Sequence, residues 1–195
     1  MPSRAAREAA NAFRRAVSLR QVPVSSDARE LQTYYHASLA MSVAAWDAYL
    51  NAIIGEFYNI TANPIDAAFH SLHTIARSFA DAAVERFNTP NFENSRALLF
   101  SCTGYDPYSD WDWRPRQLGP LQVRDLLNQI LRVRHSFAHG FPMPAYPWTR
   151  SGGGRVRLTV AGVQTAESLL RYLVSATDRG LRNYIRQAFR LRVRW

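Results

Sequence analysis

The residues best suited to chemistry in this chain lie in the stretch "RHSFAHG", Arg134 to Gly140. It closes the run "GPLQVRDLLNQILRVRHSFAHG", whose periodicity predicts an amphipathic helix opened by Pro120 and stopped by Gly140. A helix advances about 100° per residue. On that wheel Val123, Leu126, Leu127, Ile130, Leu131, Val133, Phe137 and Ala138 share one face, while Arg132, Asp125, Asn128 and Ser136 lie on the other side. Arg134 falls inside the apolar arc. A guanidinium turned toward a core is costly unless it is paired and hydrogen-bonded. Arg134 is therefore expected to hold an anion: a carboxylate of the same fold, a group from a partner subunit, or a ligand phosphate.

His135 and His139 stand at i and i+4, the spacing of paired metal ligands on a helix. The zinc-hydrolase version of that pattern places a glutamate directly after the first histidine, as base. Ser136 occupies that position, and no third ligand is evident, although His70 and His73 form another close pair. No metal or other cofactor is expected. A histidine is also favoured at a helix C-terminus by the dipole, with a glycine following as cap. That explains His139 and leaves Arg134 unexplained. Cys102 is the lone cysteine, so the sequence holds no disulfide framework and no cysteine-based zinc site. A cysteine nucleophile would have no local support.

A carboxylate for Arg134 is on offer in the second helical run. Leu39, Val43, Trp46, Leu50 and Ile54 mark its inward stripe, and Asp47 sits beside that stripe. An Asp47–Arg134 pair would bridge the two central helices, either as part of a site or as an ion pair serving packing specificity alone.

Six helical segments must position these groups. The first covers about residues 3–19. The second runs from Asp27 to Tyr58, with Ser25 or Ser26 as cap. The third starts at an Asn63 cap with Pro64 in its first turn and ends near Phe87. A short fourth helix follows an Asn91 cap and stops before Gly104, and the long aromatic loop "GYDPYSDWDWRPRQLGP" leads to the fifth. The loop "FPMPAYPWTRSGGGRVRL" is set by three prolines and three consecutive glycines. The last helix covers Thr159 to Phe189, with Gly180 as a mild weakness. The expected fold is an all-α bundle of five to six helices. It forms a single domain over residues 1–195, with an Arg-rich N-terminal extension over 1–24 and a basic tail over 190–195.

The 195 residues suffice to bury a core, and 47% of them are hydrophobic. The formal net charge is +9, carried by 24 basic residues that are all arginine. Such a charge attracts polyanions, nucleic acid first and anionic membrane second. The most apolar run, "ASLAMSVAAWDAYLNAII", is interrupted by Asp47 and Asn51, so a buried helix is expected there and no membrane partner. The start lacks the apolar segment of a secretory signal, and Glu8 argues against an Arg-rich presequence. A reducing cytoplasm fits the cysteine usage. The tail "RLRVRW" either grips phosphates or is a loose solvated end.

"RHSFAHG" resembles the Arg-x4-His signature of HEPN ribonucleases. Arg134 matches the arginine, His135 the polar residue that follows it, and His139 the histidine; Arg132 would give an x6 spacing. "YYHASLAMSVAAWDAYLNAII" resembles the first core helix of the RiboL-PSP type of HEPN domain, with Asp47 where glutamate is usual. "FNTPNFENSRALLFSCTGYDP" resembles the same group's Asn-x-Pro turn and following helix. The likeness covers roughly Leu31 to Tyr184. It does not account for the Arg-rich first helix or the tail.

The resemblance implies a helical domain that forms homodimers, with the motifs of two subunits in one composite cleft. It also implies metal-independent endoribonuclease activity in a toxin–antitoxin, phage-defence or RNA-processing setting, with an antitoxin or other regulatory protein as partner. The residue types suit that chemistry. Imidazole titrates near neutral pH and moves protons, and an arginine stabilises a crowded anionic phosphorane. Arg134 and His139 are then the catalytic pair, and Asp47 and His135 support them. Arg132, Arg186, Arg190, Arg192 and Arg194 supply affinity for RNA. The alternative is a non-catalytic module of the same type that binds RNA or a partner protein.

Overall fold

The computed structural model describes residues 1–21, 28–63, 66–193 and 195, and among them every long element is a helix. The six are α1 (Arg4–Arg20), α2 (Ala28–Thr61), α3 (Ala67–Arg86), α4 (Phe92–Thr103), α5 (Pro120–Ala138) and α6 (Val160–Ala188). The all-α bundle read from periodicity is thus observed. α2 is its axis, packing against each of the other five helices. Leu39, Val43, Trp46, Leu50, Ile53 and Ile54 are all buried along it. By length and composition alone α2 would pass for a membrane span. Here its apolar stripe is covered by the surrounding helices.

α1 is more than an extension. Ala5, Ala6, Ala9, Phe13 and Ala16 repeat at helical spacing and are all buried. Alanines at these positions let two backbones approach closely, and α1 lies along α2 and α6. Its N-terminus is held by Ser3, whose hydroxyl accepts the Ala6 N–H, and by Glu56 of α2, which accepts the N–H groups of Arg4 and Ala5.

Three local expectations need correction. α3 begins at Ala67, capped by Asp66, whose carboxylate accepts the Phe69 N–H at 3.0 Å. Asn63 is not the cap; a carboxylate also complements the helix dipole, which an amide does not. Pro64, Ser25 and Ser26 lie outside the described residues. Gly180 is a requirement and not a weakness. The aromatic loop passes so close to α6 there that a Cβ would collide with the Tyr105 hydroxyl and the Asp110 carboxylate. That loop belongs to the core: Trp111 is fully buried and donates to Thr177 Oγ1 at 2.8 Å, edge-on to Trp46 and Phe92. The tail is not loose either. Val193 and Trp195 pack on the core, and Arg182 donates to the Trp195 carbonyl at 3.1 Å.

Candidate active site

Gly140 fixes the end of α5. Its φ of +69° is the left-handed conformation that side chains with a Cβ resist. The Phe141 N–H bonds the Ser136 carbonyl at 2.8 Å and the Gly140 N–H bonds the Phe137 carbonyl at 3.4 Å. This is the Schellman arrangement, with His139 as the C-cap residue. His139 and His135, one turn apart, have ring centroids 4.2 Å apart, and the stop brings Phe141 about equally close to both, at 6.0 and 5.9 Å.

The wheel holds for the first part of α5 and fails for the last. Val123, Leu127 and Ile130 are buried as expected, but the buried face then turns to Val133 and Ser136. Arg134, Phe137 and Ala138, placed among the core-facing residues by spacing, are exposed, and Ser136, placed outside, is buried. The continuation of the Leu127–Ile130 stripe to Arg134 and Phe137 is exposed. Phe137 is 48% exposed and Phe141 59%. Arg134 is therefore not a buried cation in need of rescue within one chain.

The expected Asp47–Arg134 bridge is also absent as a direct bond: among the described residues no ion pair within 4.0 Å joins them. They still feel each other. Burial lifts the Asp47 carboxyl above the ordinary carboxylate range, and the Arg134 charge draws it partly back. Asp47 Oδ1 is buried without a hydrogen-bond partner.

Asp47, Arg134, His135 and Arg132 line one cleft of about 540 Å³. Its other wall is the Asn88–Asn91 turn, held against α2 by the Trp46 indole N–H, which donates to the Pro90 carbonyl at 3.1 Å. Asn128, also on the wall, accepts the Phe92 N–H at 3.2 Å and donates to Glu93. The sequence motifs singled out separately thus share one cleft. His139 is not on that wall; its ring lies beyond His135, on the exposed rim beside Phe141.

His36 is the residue that spacing could have revealed and did not. It precedes Leu39 and Val43 by three and seven positions, so it continues the inward stripe of α2. Its ring stacks on Phe137 with centroids 4.2 Å apart and planes 8° from parallel. Burial lowers its pKa, and its Nδ1 is buried with no hydrogen-bond partner.

Arg186, Arg190 and Arg192 do not line the cleft. They are exposed, and Arg194 lies outside the described residues. Phe189, beside Arg190, packs on Phe57, whereas Phe137 packs on His36. Those two contact points on α2 are about 30 Å apart along the helix axis at 1.5 Å per residue. Among the described residues, Arg132 alone of the expected RNA contacts stands at the cleft. His70 is exposed, and His73 is engaged with Thr61 Oγ1 at 3.1 Å. Among the described residues no three His, Cys, Asp or Glu side chains gather as a metal site.

Compared with family models, curated proteins and solved structures, the chain matches none.

Proposed function

We propose that the protein is an endoribonuclease of the HEPN type, acting as a symmetric homodimer. The observation that carries this reading is the gathering of Asp47, Arg134, His135 and Arg132 on one cleft beside the Asn-x-Pro turn, with His139 on its rim. In the reaction the substrate's 2′-oxygen attacks phosphorus and the bond from phosphorus to the 5′-oxygen breaks. The 2′-hydroxyl proton goes to a base, and an acid delivers a proton to the departing 5′-oxygen. The products are a 2′,3′-cyclic phosphate and a 5′-hydroxyl. His139 of one subunit and its copy divide the two proton transfers. Arg134 holds the scissile phosphate and the phosphorane that forms from it. Asp47 biases Arg134 through its charge, and His135 positions His139 or contacts RNA.

The uncovered end of α5 supports the dimer. Phe137 and Phe141 expose large apolar surface next to Arg134, and a two-fold axis there would bring each motif to its copy. It would also bring the His139 of each subunit toward the other's cleft, which its position on the rim requires.

One observation favours a second reading, a binding module without catalysis: within one chain His139 does not line the cleft. Incubation of the full chain with RNA in EDTA separates the two. The proposal expects cleavage, reduced about 10²–10⁴-fold in His139→Ala. RNA binding with no cleavage, unchanged in that variant, supports the module.

A further inference from the structure

A second cleft, of about 510 Å³, lies between α1 and α6. It shares no lining residue with the α5 cleft, and α1 and α5 do not pack together among the described residues. Its α6 side presents Arg171, Val174, Ser175, Asp178, Arg179 and Arg182, the 3–4 spacing of a single helix face. Its floor is aliphatic: Ala6, Ala10 and Val174, with Phe13 beneath Arg171, whose guanidinium sits 4.9 Å above the ring. A shallower continuation, sharing Arg7, Ala10 and Arg171, extends it to Arg14.

The rim is cationic and largely unneutralised. Arg171 pairs with Glu167 at 2.7 Å and Arg182 is engaged by Trp195 O at 3.1 Å, but Arg7, Arg14 and Arg179 have no carboxylate within ion-pair distance among the described residues. Their bonds go to Pro2 O, Asn11 and Ser175. Asp178, 4% exposed, lines the same groove. Its Oδ2 accepts the Ser3 N–H at 3.2 Å, and its Oδ1 is buried with no partner.

We propose that this groove docks an acidic amphipathic helix of a protein partner. The stretch from Arg171 to Arg182 is about 16 Å long at 1.5 Å per residue, which fits an occupant of about three turns. Its apolar stripe lies on Ala6, Ala10 and Val174, and its flanking carboxylates meet Arg7 and Arg179. RNA suits the groove poorly. The floor offers no open aromatic face for a base, since Phe13 is buried under Arg171. The site stands apart from the cleavage reaction and does not depend on it.

The test is selection of fourteen-residue peptides from a random displayed library against the full chain. Selected peptides are then titrated against Arg7→Glu/Arg179→Glu and against Ala10→Arg, all exposed positions. Ala10→Arg fills the groove while raising its positive charge, so it separates shape from charge. The expected peptides carry apolar residues at i, i+3, i+4 and i+7 flanked by Asp or Glu, and lose about tenfold or more in affinity on both variants, roughly 1.4 kcal/mol. Peptides without that pattern, or unchanged binding to Ala10→Arg, would overturn the proposal. So would a ten-nucleotide oligouridylate that displaces the peptides and itself weakens on Ala10→Arg, since the groove would then be an RNA track.

Discussion

His135 and His139 lie one turn apart at the end of α5, with ring centroids 4.2 Å apart. Gly140 then ends the helix, and the Phe141 ring comes back within 6.0 Å of both. The placement of Phe141 beside the histidines therefore rests on a backbone conformation and not on the motif spacing.

The Schellman stop predicts the effect of Gly140→Ala. Nothing within 4 Å opposes an added Cβ, so the cost is conformational, from the left-handed φ. About 1–2 kcal/mol of stability should be lost. The measurement is the urea midpoint at constant slope. Cleavage should fall further than stability, because Phe141, which follows the stop, is re-aimed beside the two histidines. A variant as stable as the parent would show that the end of α5 does not need this conformation.

His36 gives a pH dependence with a definite sign. Burial lowers its pKa, so the unfolded chain takes up the proton first as pH falls. Stability from neutral His36 is complete above the ordinary histidine value and declines as pH drops below it. His36→Phe keeps a ring against Phe137 and removes the proton site. Its melting temperature should vary less with pH between about 7 and 5 than that of the parent. An equal pH slope in both proteins would exclude His36 as the source.

Asp47 has the opposite sign. Its carboxyl is raised by burial, so the folded state holds its proton longer, and stability declines as pH rises out of the ordinary carboxylate range. Asp47→Asn should flatten that decline and leave the fold intact while weakening cleavage. A steeper decline, or a loss of folding at neutral pH, would mean that ionised Asp47 is a net support of the fold.

Much of this was legible in the sequence. The helices follow from periodicity, and their ends from Asn91, Gly104, Pro120, Thr159 and Gly140, whose preferences are local. What was not legible is tertiary. The wheel assumes that the core lies on one side of α5 throughout, but the buried positions follow a three-residue step, Leu127, Ile130, Val133 and Ser136, which turns the buried face away from Arg134. Likewise Asp66 and Asn63 are both good caps, and spacing cannot rank them. Gly180 looks like a flaw until the aromatic loop is placed against it.

The uncovered Phe137 and Phe141 predict assembly. Phe137→Glu puts a charge on a half-exposed position, so the monomer should keep its fold and lose the stack on His36. Sedimentation at micromolar concentration should show a dimer for the parent and a monomer for the variant, with cleavage lost along with the dimer. A variant that stays dimeric, or a fully active monomer, would remove this surface from the account.

In the proposed reaction the substrate's own 2′-hydroxyl is the nucleophile, served by Arg134 and His139. The decisive substrate is an RNA carrying one 2′-deoxy nucleotide on the 5′ side of a mapped cleavage position. The unmodified RNA should be cut to a 2′,3′-cyclic phosphate and a 5′-hydroxyl, and the modified RNA should bind equally well but not be cut there. Cleavage of the modified strand at that position, or products ending in a 5′-phosphate, would contradict this reaction.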